Sequence, residues 1–291
     1  MKLSTILNMP NEFELVLFGD NQEGNCASAS DKYRECIDYI CSKPNRYGVH
    51  MGDACDAFWC DDIKRYDPMT TKITPAEQKK RFVKDTAPLA KTGRLLTILK
   101  GNHEKAIERK YGDFAAEICE NLQEFGKGVF PITGTYTNKL EFRDKKNSLM
   151  FKGYFTHGRK SLSSVSPDPH RRKAYLQFRL KRLLENMAGD CILMARGHSH
   201  IVLVTQPIPT VYLTSEKGKL KQNYTQAGSG KSGSYIPPDH RWYGCTGSFL
   251  KSQELDVETY SELAEYEPTE LGYLIAVIKD RTVVDLKEVK I

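Results

Sequence analysis

Hydrophobic runs along this chain are short, and most of them stop at a glycine followed by polar residues. Glu12-Phe13-Glu14-Leu15-Val16-Leu17-Phe18 begins by alternating and ends fully apolar, which predicts a strand running into the core. It stops at Gly19-Asp20-Asn21-Gln22-Glu23-Gly24-Asn25. From Ser28 to about Ser42, Tyr33, Cys36, Ile37 and Ile40 recur at helical spacing, and Pro44 closes the pattern. Tyr47-Gly48-Val49-His50-Met51 is a second short strand, ending at Gly52-Asp53-Ala54-Cys55-Asp56. Strand, acidic loop, helix, strand, acidic loop is the signature of a βαβ unit with polar residues at the strand carboxyl ends.

Residues 61–74 are polar and irregular, and Thr74-Pro75 with Glu77 in the first turn starts a helix from Pro75 to about Ala90. Arg94 to Leu99 reads as a buried strand that delivers a loop, Lys100-Gly101-Asn102-His103-Glu104. A helix from about Ala106 to Phe125 follows, ending at Gly126. Thr135–Phe142 and Ser148–Thr156 predict an antiparallel pair around the charged turn Arg143–Asn147, and the second strand ends at His157-Gly158. After a loop through Pro169 come a basic helix at about 170–187 and a strand from Asp190 to Ala195, which ends at Arg196-Gly197-His198-Ser199-His200. Ile201–Leu213 and Gly272–Val289 are β-rich, with Asp280-Arg281 as a hairpin turn. The pattern is α/β, without internal repeat, coiled coil or linker. It predicts one domain over 1–291, with a motif-bearing core at about 12–205 and a β-rich part, 206–291, completing a second sheet and the rim of a site.

Composition narrows the class only slightly. In 291 residues, 40% hydrophobic and 27% charged positions are ordinary for a globular protein with a sizeable core. No apolar run is long enough to cross a bilayer, and Met1–Pro10 lacks the pattern of a secretory leader, so no membrane partner and a cytoplasmic setting are expected. Eight cysteines without a CxxC pair predict reduced thiols and argue against a thiolate zinc site. A net charge of +6 is compatible with a solvated lysine-rich surface or with attraction to a polyanion.

The predicted strand ends carry one kind of chemistry. Asp20, Asp53, Asn102-His103, His157 and His198-Ser199-His200 mix carboxylate and imidazole, a donor set for borderline divalent ions rather than Ca²⁺. One ion rarely needs so many ligands, whereas a pair of ions sharing a carboxylate does. His50 falls within a strand and is expected to be satisfied in the core. No Ser/His/Asp or Cys/His nucleophile set stands out.

In this order the clusters resemble the calcineurin-like metallophosphoesterase superfamily, whose pattern is GDxH, GDxxD, GNH followed by an acid, a lone His, and GHxH. Here they read Gly19-Asp20-Asn21-Gln22, Gly52-Asp53-Ala54-Cys55-Asp56, Gly101-Asn102-His103-Glu104, His157-Gly158 and Gly197-His198-Ser199-His200. The resemblance covers about residues 15–205. It implies a four-layer α/β/β/α sandwich, two mixed β-sheets flanked by helices. It implies two divalent metal ions, Mn²⁺ first, with Fe, Zn, Ni or Mg as alternatives. Asp53 would bridge them, with Asp20 and His200 on the first metal and Asn102, His157 and His198 on the second. His103 would face the substrate, and Asp56 and Glu104 would hold loops and ligands in place. The departure is Gln22, where the family has His; it is either a harder, weaker first-metal ligand or a group that bonds only to water or phosphate.

The expected activity is phosphoester hydrolysis through a metal-bridging hydroxide. The absence of Arg-Gly after Asp56 and the GHxH ending place the resemblance on the phosphodiesterase and repair-nuclease side, of a kind common in phage and prophage. The substrate would then be a phosphodiester in DNA, RNA or a nucleotide. A phosphomonoesterase, and a non-catalytic binding module with a weakened first metal site, are the alternatives. Arg171, Arg172 and Lys173 on the basic helix, and Arg241-Trp242, are candidate substrate contacts, set against solvation for the former and core packing for the latter. Gly228-Ser229-Gly230-Lys231-Ser232 imitates the end of a P-loop, but Thr225 stands where the pattern needs glycine, so a loop is expected there.

Overall fold

The computed structural model describes residues 1–126, 132–225 and 234–291. In chain order its elements are β1 (Lys2–Met9), β2 (Phe13–Phe18), α1 (Ser30–Cys41), β3 (Arg46–His50), α2 (Pro75–Lys91), β4 (Leu95–Ile98), α3 (Asn102–Tyr111), α4 (Phe114–Gln123), β5 (Ile132–Thr133), β6 (Thr137–Asp144) and β7 (Leu149–Thr156). They continue with α5 (Pro169–Leu184), β8 (Leu193–Arg196), β9 (Leu203–Thr205), β10 (Val211–Glu216), β11 (Lys219–Tyr224), β12 (Trp242–Cys245), α6 (Tyr260–Leu263), β13 (Gly272–Lys279) and β14 (Thr282–Lys290). The class is mixed α/β, as the strand and helix periods predict.

Fourteen strands form two six-stranded mixed sheets and a separate hairpin, β10–β11. One large sheet has the order β14-β13-β2-β3-β4-β5 and the other β1-β6-β7-β8-β12-β9. In the first, β2, β3 and β4 run parallel; in the second, β7 and β8 run parallel. These five strands are the ones whose carboxyl ends carry the polar clusters.

Alternating burial explains the packing. Leu15 and Leu17 of β2, Leu140 and Phe142 of β6, and Leu193 and Ala195 of β8 belong to one buried cluster drawn from both large sheets. Phe13 lies 6.1 Å from Phe142 and 6.2 Å from Phe151, ring centre to ring centre, so aromatic contacts tie the sheets together. The opposite face of β2–β4 packs on α1 to α4 through Val16, Phe18, Ile37, Phe82 and Ile118. The opposite face of β8 and β12 packs on α5 through Leu180, Leu184, Met194 and Tyr243. Each fully buried side chain of this size stabilises by about 1.5–3 kcal/mol.

Local signals account for the helix ends. The Thr74 side chain accepts the Glu77 N–H at 3.2 Å, with Pro75 as the first residue of α2. The expected single helix over 106–125 is two helices: Gly112, at φ 78°, ends α3, and the Asp113 carboxylate accepts the Ala116 N–H at 3.1 Å to start α4. α3 begins at Asn102, so Asn102-His103-Glu104 is a first helical turn and not a loop.

Four strands, β1, β5, β11 and β12, escape the hydrophobic pattern. β1 buries only part of one face at a sheet edge, with Leu3 and Leu7 exposed. β12 is a four-residue strand between β8 and β9, buried along its length. The β-rich stretch 201–213 breaks after Thr205, and its second half pairs with β11 away from both large sheets. The segment after residue 206 therefore adds strands to both sheets, β12 to one and β13–β14 to the other. Asp280 and Arg281 form the expected turn, both with positive φ. Residues 228–231 and Ser232 lie outside the described residues.

Candidate metal centre

Beyond β2 and β3 the two chains stay hydrogen-bonded as they leave the sheet. The Asp20 N–H donates to Gly52 O at 2.9 Å, the Gln22 N–H to Asp53 O at 3.0 Å, and the Glu23 N–H to Ala54 O at 3.0 Å. This pairing sets Asp20 and Asp53 side by side, and both are fully or almost fully buried. It also bends the backbone: Asp20, Gln22, Asp53, His198 and His200 all have φ between 46° and 73°. Non-glycine residues seldom adopt that region, and such strain clusters where side chains must be aimed.

The start of α3 approaches Asp53 from the neighbouring strand. The His103 N–H donates to Asp53 Oδ1 at 2.9 Å, a carboxylate held at a helix N-terminus. Glycine is required for that approach, because a Cβ on Gly101 would lie 1.9 Å from Asp53 Oδ1. Glu104 fixes the pair of loops by accepting N–H groups from Ala54 at 2.7 Å, Cys55 at 3.3 Å and Gly101 at 2.9 Å. Burial, with the Asp53 charge beside it, raises the Glu104 carboxyl to about 7.

The second sheet supplies the imidazoles. His157 follows β7 and is fully buried; its Nδ1 lies 2.9 Å from Met51 O, and its Nε2 lies 3.0 Å from Asn102 Oδ1 and 3.1 Å from Asp53 Oδ2. Gly52 leaves room for this ring: at φ +99°, a Cβ there would stand 2.8 Å from His157 Nδ1. The His198 N–H donates to both Asp20 oxygens at 3.2 and 3.1 Å, and His200 Nε2 is 3.3 Å from Asp20 Oδ1. Ligand-capable atoms of Asp53, His157 and His198 all lie within 4.8 Å of one another.

The electrostatics are those of a cation-seeking site. Among the described residues neither Asp20 nor Asp53 forms an ion pair with lysine or arginine; imidazoles and backbone N–H groups contact them, with Arg196 acting on Asp20 only through space. Burial opposes a charge on His157, yet Asp53 and Asp20 override it and raise the ring to about 10. Two oxygens, Asn102 Oδ1 and Asp53 Oδ2, converge on Nε2, while Nδ1 is fixed by the Met51 carbonyl. Burial and the neighbouring His157 lower His198 to about 4, leaving it a neutral donor. Carboxylate, amide oxygen and neutral imidazole together fit a divalent ion of the borderline class.

His103 stands beside this group. Its Nδ1 is 2.7 Å from Asp56 O, its Nε2 is 3.8 Å from Asp53 Oδ2, and Phe58 packs on the ring at 4.4 Å between centroids. Burial disfavours its charge, but Asp53 and Asp56 outweigh it and shift the ring upward. Asp56 is itself tied to the Thr71 hydroxyl and to Asn25. Gln22 is 6% exposed at the same edge, and among the described residues its side-chain amide makes no hydrogen bond. His50 is fully buried, bonded to Asn21 Oδ1 at 2.9 Å and lowered by burial to about 3, a core histidine as expected.

Two of the expected substrate contacts are displaced by the structure. Arg241 is wholly buried, its guanidinium bonded to the carbonyls of Ile236, Glu185 and Ala188, and Trp242 is a strand residue 7% exposed. Neither can meet a ligand at the surface. Arg171 and Lys173 are exposed, while Arg172 donates to Ser166 O at 3.1 Å and lies 3.6 Å from Glu267. Phe58 and Asn21 were not singled out by the sequence; an aromatic in an irregular stretch and an amide beside Asp20 carry no signal of their own. Among the described residues no helix is long and apolar enough to cross a membrane. Comparison with protein-family models gives no match, and a search of curated proteins gives no significant match.

Proposed function

We propose that this chain is a phosphoester hydrolase dependent on two divalent metal ions, acting on phosphodiesters in nucleic acid or a nucleotide. The observation that carries the reading is the contact of Asp20, Asp53, Asn102, His157, His198 and His200 at the carboxyl ends of β2, β3 and β4 in one sheet and β7 and β8 in the other. In this reading Asp53 would be shared by both ions, with Asp20 and His200 serving one and Asn102, His157 and His198 the other. The reading carries with it a four-layer α/β/β/α stack, which the three separate buried clusters support. When bound, such ions neutralise phosphoryl oxygens and activate a water for attack at phosphorus.

The chain's own groups do the rest. Asp56 O holds one ring nitrogen of His103, leaving Nε2 to carry a proton toward the leaving oxygen. Its upward pKa shift suits an acid that stays charged near neutrality. Glu104 and the α3 N-terminus keep Asp53 oriented. Gln22, in place of an imidazole, favours a second reading in which one half of the centre is too weak for turnover and the chain only binds its ligand.

Hydrolysis of bis-p-nitrophenyl phosphate and p-nitrophenyl phosphate with added Mn²⁺ separates these readings. Diester turnover lost in EDTA is the expected result. Turnover of the monoester alone selects a phosphatase, and silence toward both with metal retained selects the binding module.

A further inference from the structure

We propose that Gly158–Leu162 is a strap fixing Arg159 and Lys160 beside the donor cluster as contacts for the phosphate backbone of a nucleic-acid strand; this rests on the phosphodiesterase reading. The strap is tied at both ends and under its middle. It leaves the buried donor His157 through Gly158, at φ 77°, and ends at Leu162, which is buried in the core under α5. The Leu162 N–H donates to Ser199 Oγ at 3.3 Å, between the two histidines after β8. Arg196 Nη2 donates to Lys160 O. A Cβ on Gly158 would lie 2.8 Å from that same Nη2, so the strap rests directly on the guanidinium.

Among the described residues the Lys160 carbonyl is the one hydrogen-bond acceptor of the Arg196 guanidinium, and Asp20 acts on it only through space. Arg196 is 2% exposed, has no carboxylate partner among the described residues, and its Nε is without a hydrogen bond. Burying a guanidinium to hold one carbonyl is costly, and what it holds is a turn that presents cations. The side chains of Arg159 and Lys160 are both exposed, and neither forms an ion pair among the described residues. By contrast Lys100, Lys105, Lys139 and Lys152 each meet a carboxylate.

The surroundings match a polyanionic strand. The Tyr136 carbonyl accepts the His157 N–H at 2.9 Å, and its ring is 38% exposed at the same rim. Arg159 acts on its phenol electrostatically, as do Lys100 and Lys105 together with their carboxylate partner Glu108. An exposed ring beside the unpaired Arg159 can stack a base while Arg159 and Lys160 meet flanking phosphates. A small diester held at the donor cluster would have no use for fixed charges outside it.

The test is fluorescence anisotropy of a labelled single-stranded oligonucleotide with the full chain in EDTA, repeated over a sodium chloride series. Affinity should fall with salt, and the Arg159→Ala/Lys160→Ala variant should flatten the log–log slope by about 1.4, two phosphate contacts on a single strand. Lys219→Ala/Lys221→Ala, the same charge change on the β10–β11 hairpin, should leave the slope as it was. Equal slopes for the two variants, or no binding by the unaltered chain, would overturn the strap. Bis-p-nitrophenyl phosphate turnover by the unaltered chain with Mn²⁺ is read in parallel. Turnover with equal slopes sinks the strap alone, while no turnover sinks the phosphodiesterase reading whatever the slopes show.

Discussion

Strands β7 and β8 have a cluster of acidic groups at each end, and the two clusters are neutralised in different ways. Before β8, Asp190 is held by Lys139 at 2.6 Å and Lys152 at 2.9 Å, and Lys152 also meets Glu141 at 3.0 Å. Burial works against the Asp190 charge, but the two lysines bring its carboxyl down to about 2. After β7 and β8, Asp20 and Asp53 are more deeply buried, and among the described residues their ion-pair partners are imidazoles, never lysine or arginine. A cluster that serves the fold is closed by cations of the chain itself. The other, on a backbone strained at Asp20, Asp53, His198 and His200, is the one where the proposed metal ions would supply the positive charge.

Substitutions at the two ends should therefore behave differently. The largest effect is expected for Asp53→Asn, which removes the carboxylate that both ions of the proposed centre would share. Activity should fall more than about 100-fold and bound metal should drop, and the thermal midpoint of the metal-free protein at neutral pH should fall, because His157 loses the buried carboxylate that its charge is paired with. His103→Ala should lower kcat by about 10²–10⁴-fold and leave the metal content unchanged; loss of metal in that variant would make His103 a ligand instead. Gln22→His should tighten the weaker half of the centre on the order of 10-fold, measured by titration with Mn²⁺. A variant that binds no more tightly would remove Gln22 from the first metal's surroundings.

The smallest effect belongs to the closed cluster. Asp190→Asn should leave activity and metal content alone and reduce stability at neutral pH by about 1–2 kcal/mol. The sign follows from its depressed pKa: the stabilisation is present above the ordinary carboxylate value and disappears as pH falls from about 4 to about 2. Acid unfolding of the variant should accordingly lack the portion of the transition in that window. An effect on turnover instead would erase the distinction between the two ends.

What could be read from the sequence was what is local. Gly52-Asp53 and Gly101-Asn102-His103 announce themselves because a strand, a glycine that permits close approach and a donor are contiguous. Convergence of five such ends on one point is a property of the sheet order, and only their shared chemistry hinted at it. β1 was hidden because an edge strand needs few apolar positions, and β12 because four residues give too short a period. The reversal at Arg241 has a similar cause. A basic residue next to tryptophan looks like a surface contact, yet here carbonyls from residues 185, 188 and 236 surround the guanidinium, and that enclosure is assembled from distant segments. Gly112-Asp113, by contrast, is a plain stop-and-start signal that the apolar periodicity on either side obscured.

Elemental analysis of the purified chain, loaded with Mn²⁺ and then dialysed against metal-free buffer, tests the dinuclear centre most directly. Two manganese ions per chain are expected at saturation and one after extended dialysis, the retained ion being that of the half built from Asp53, Asn102, His157 and His198. A chain that holds no manganese even at saturation would contradict the account.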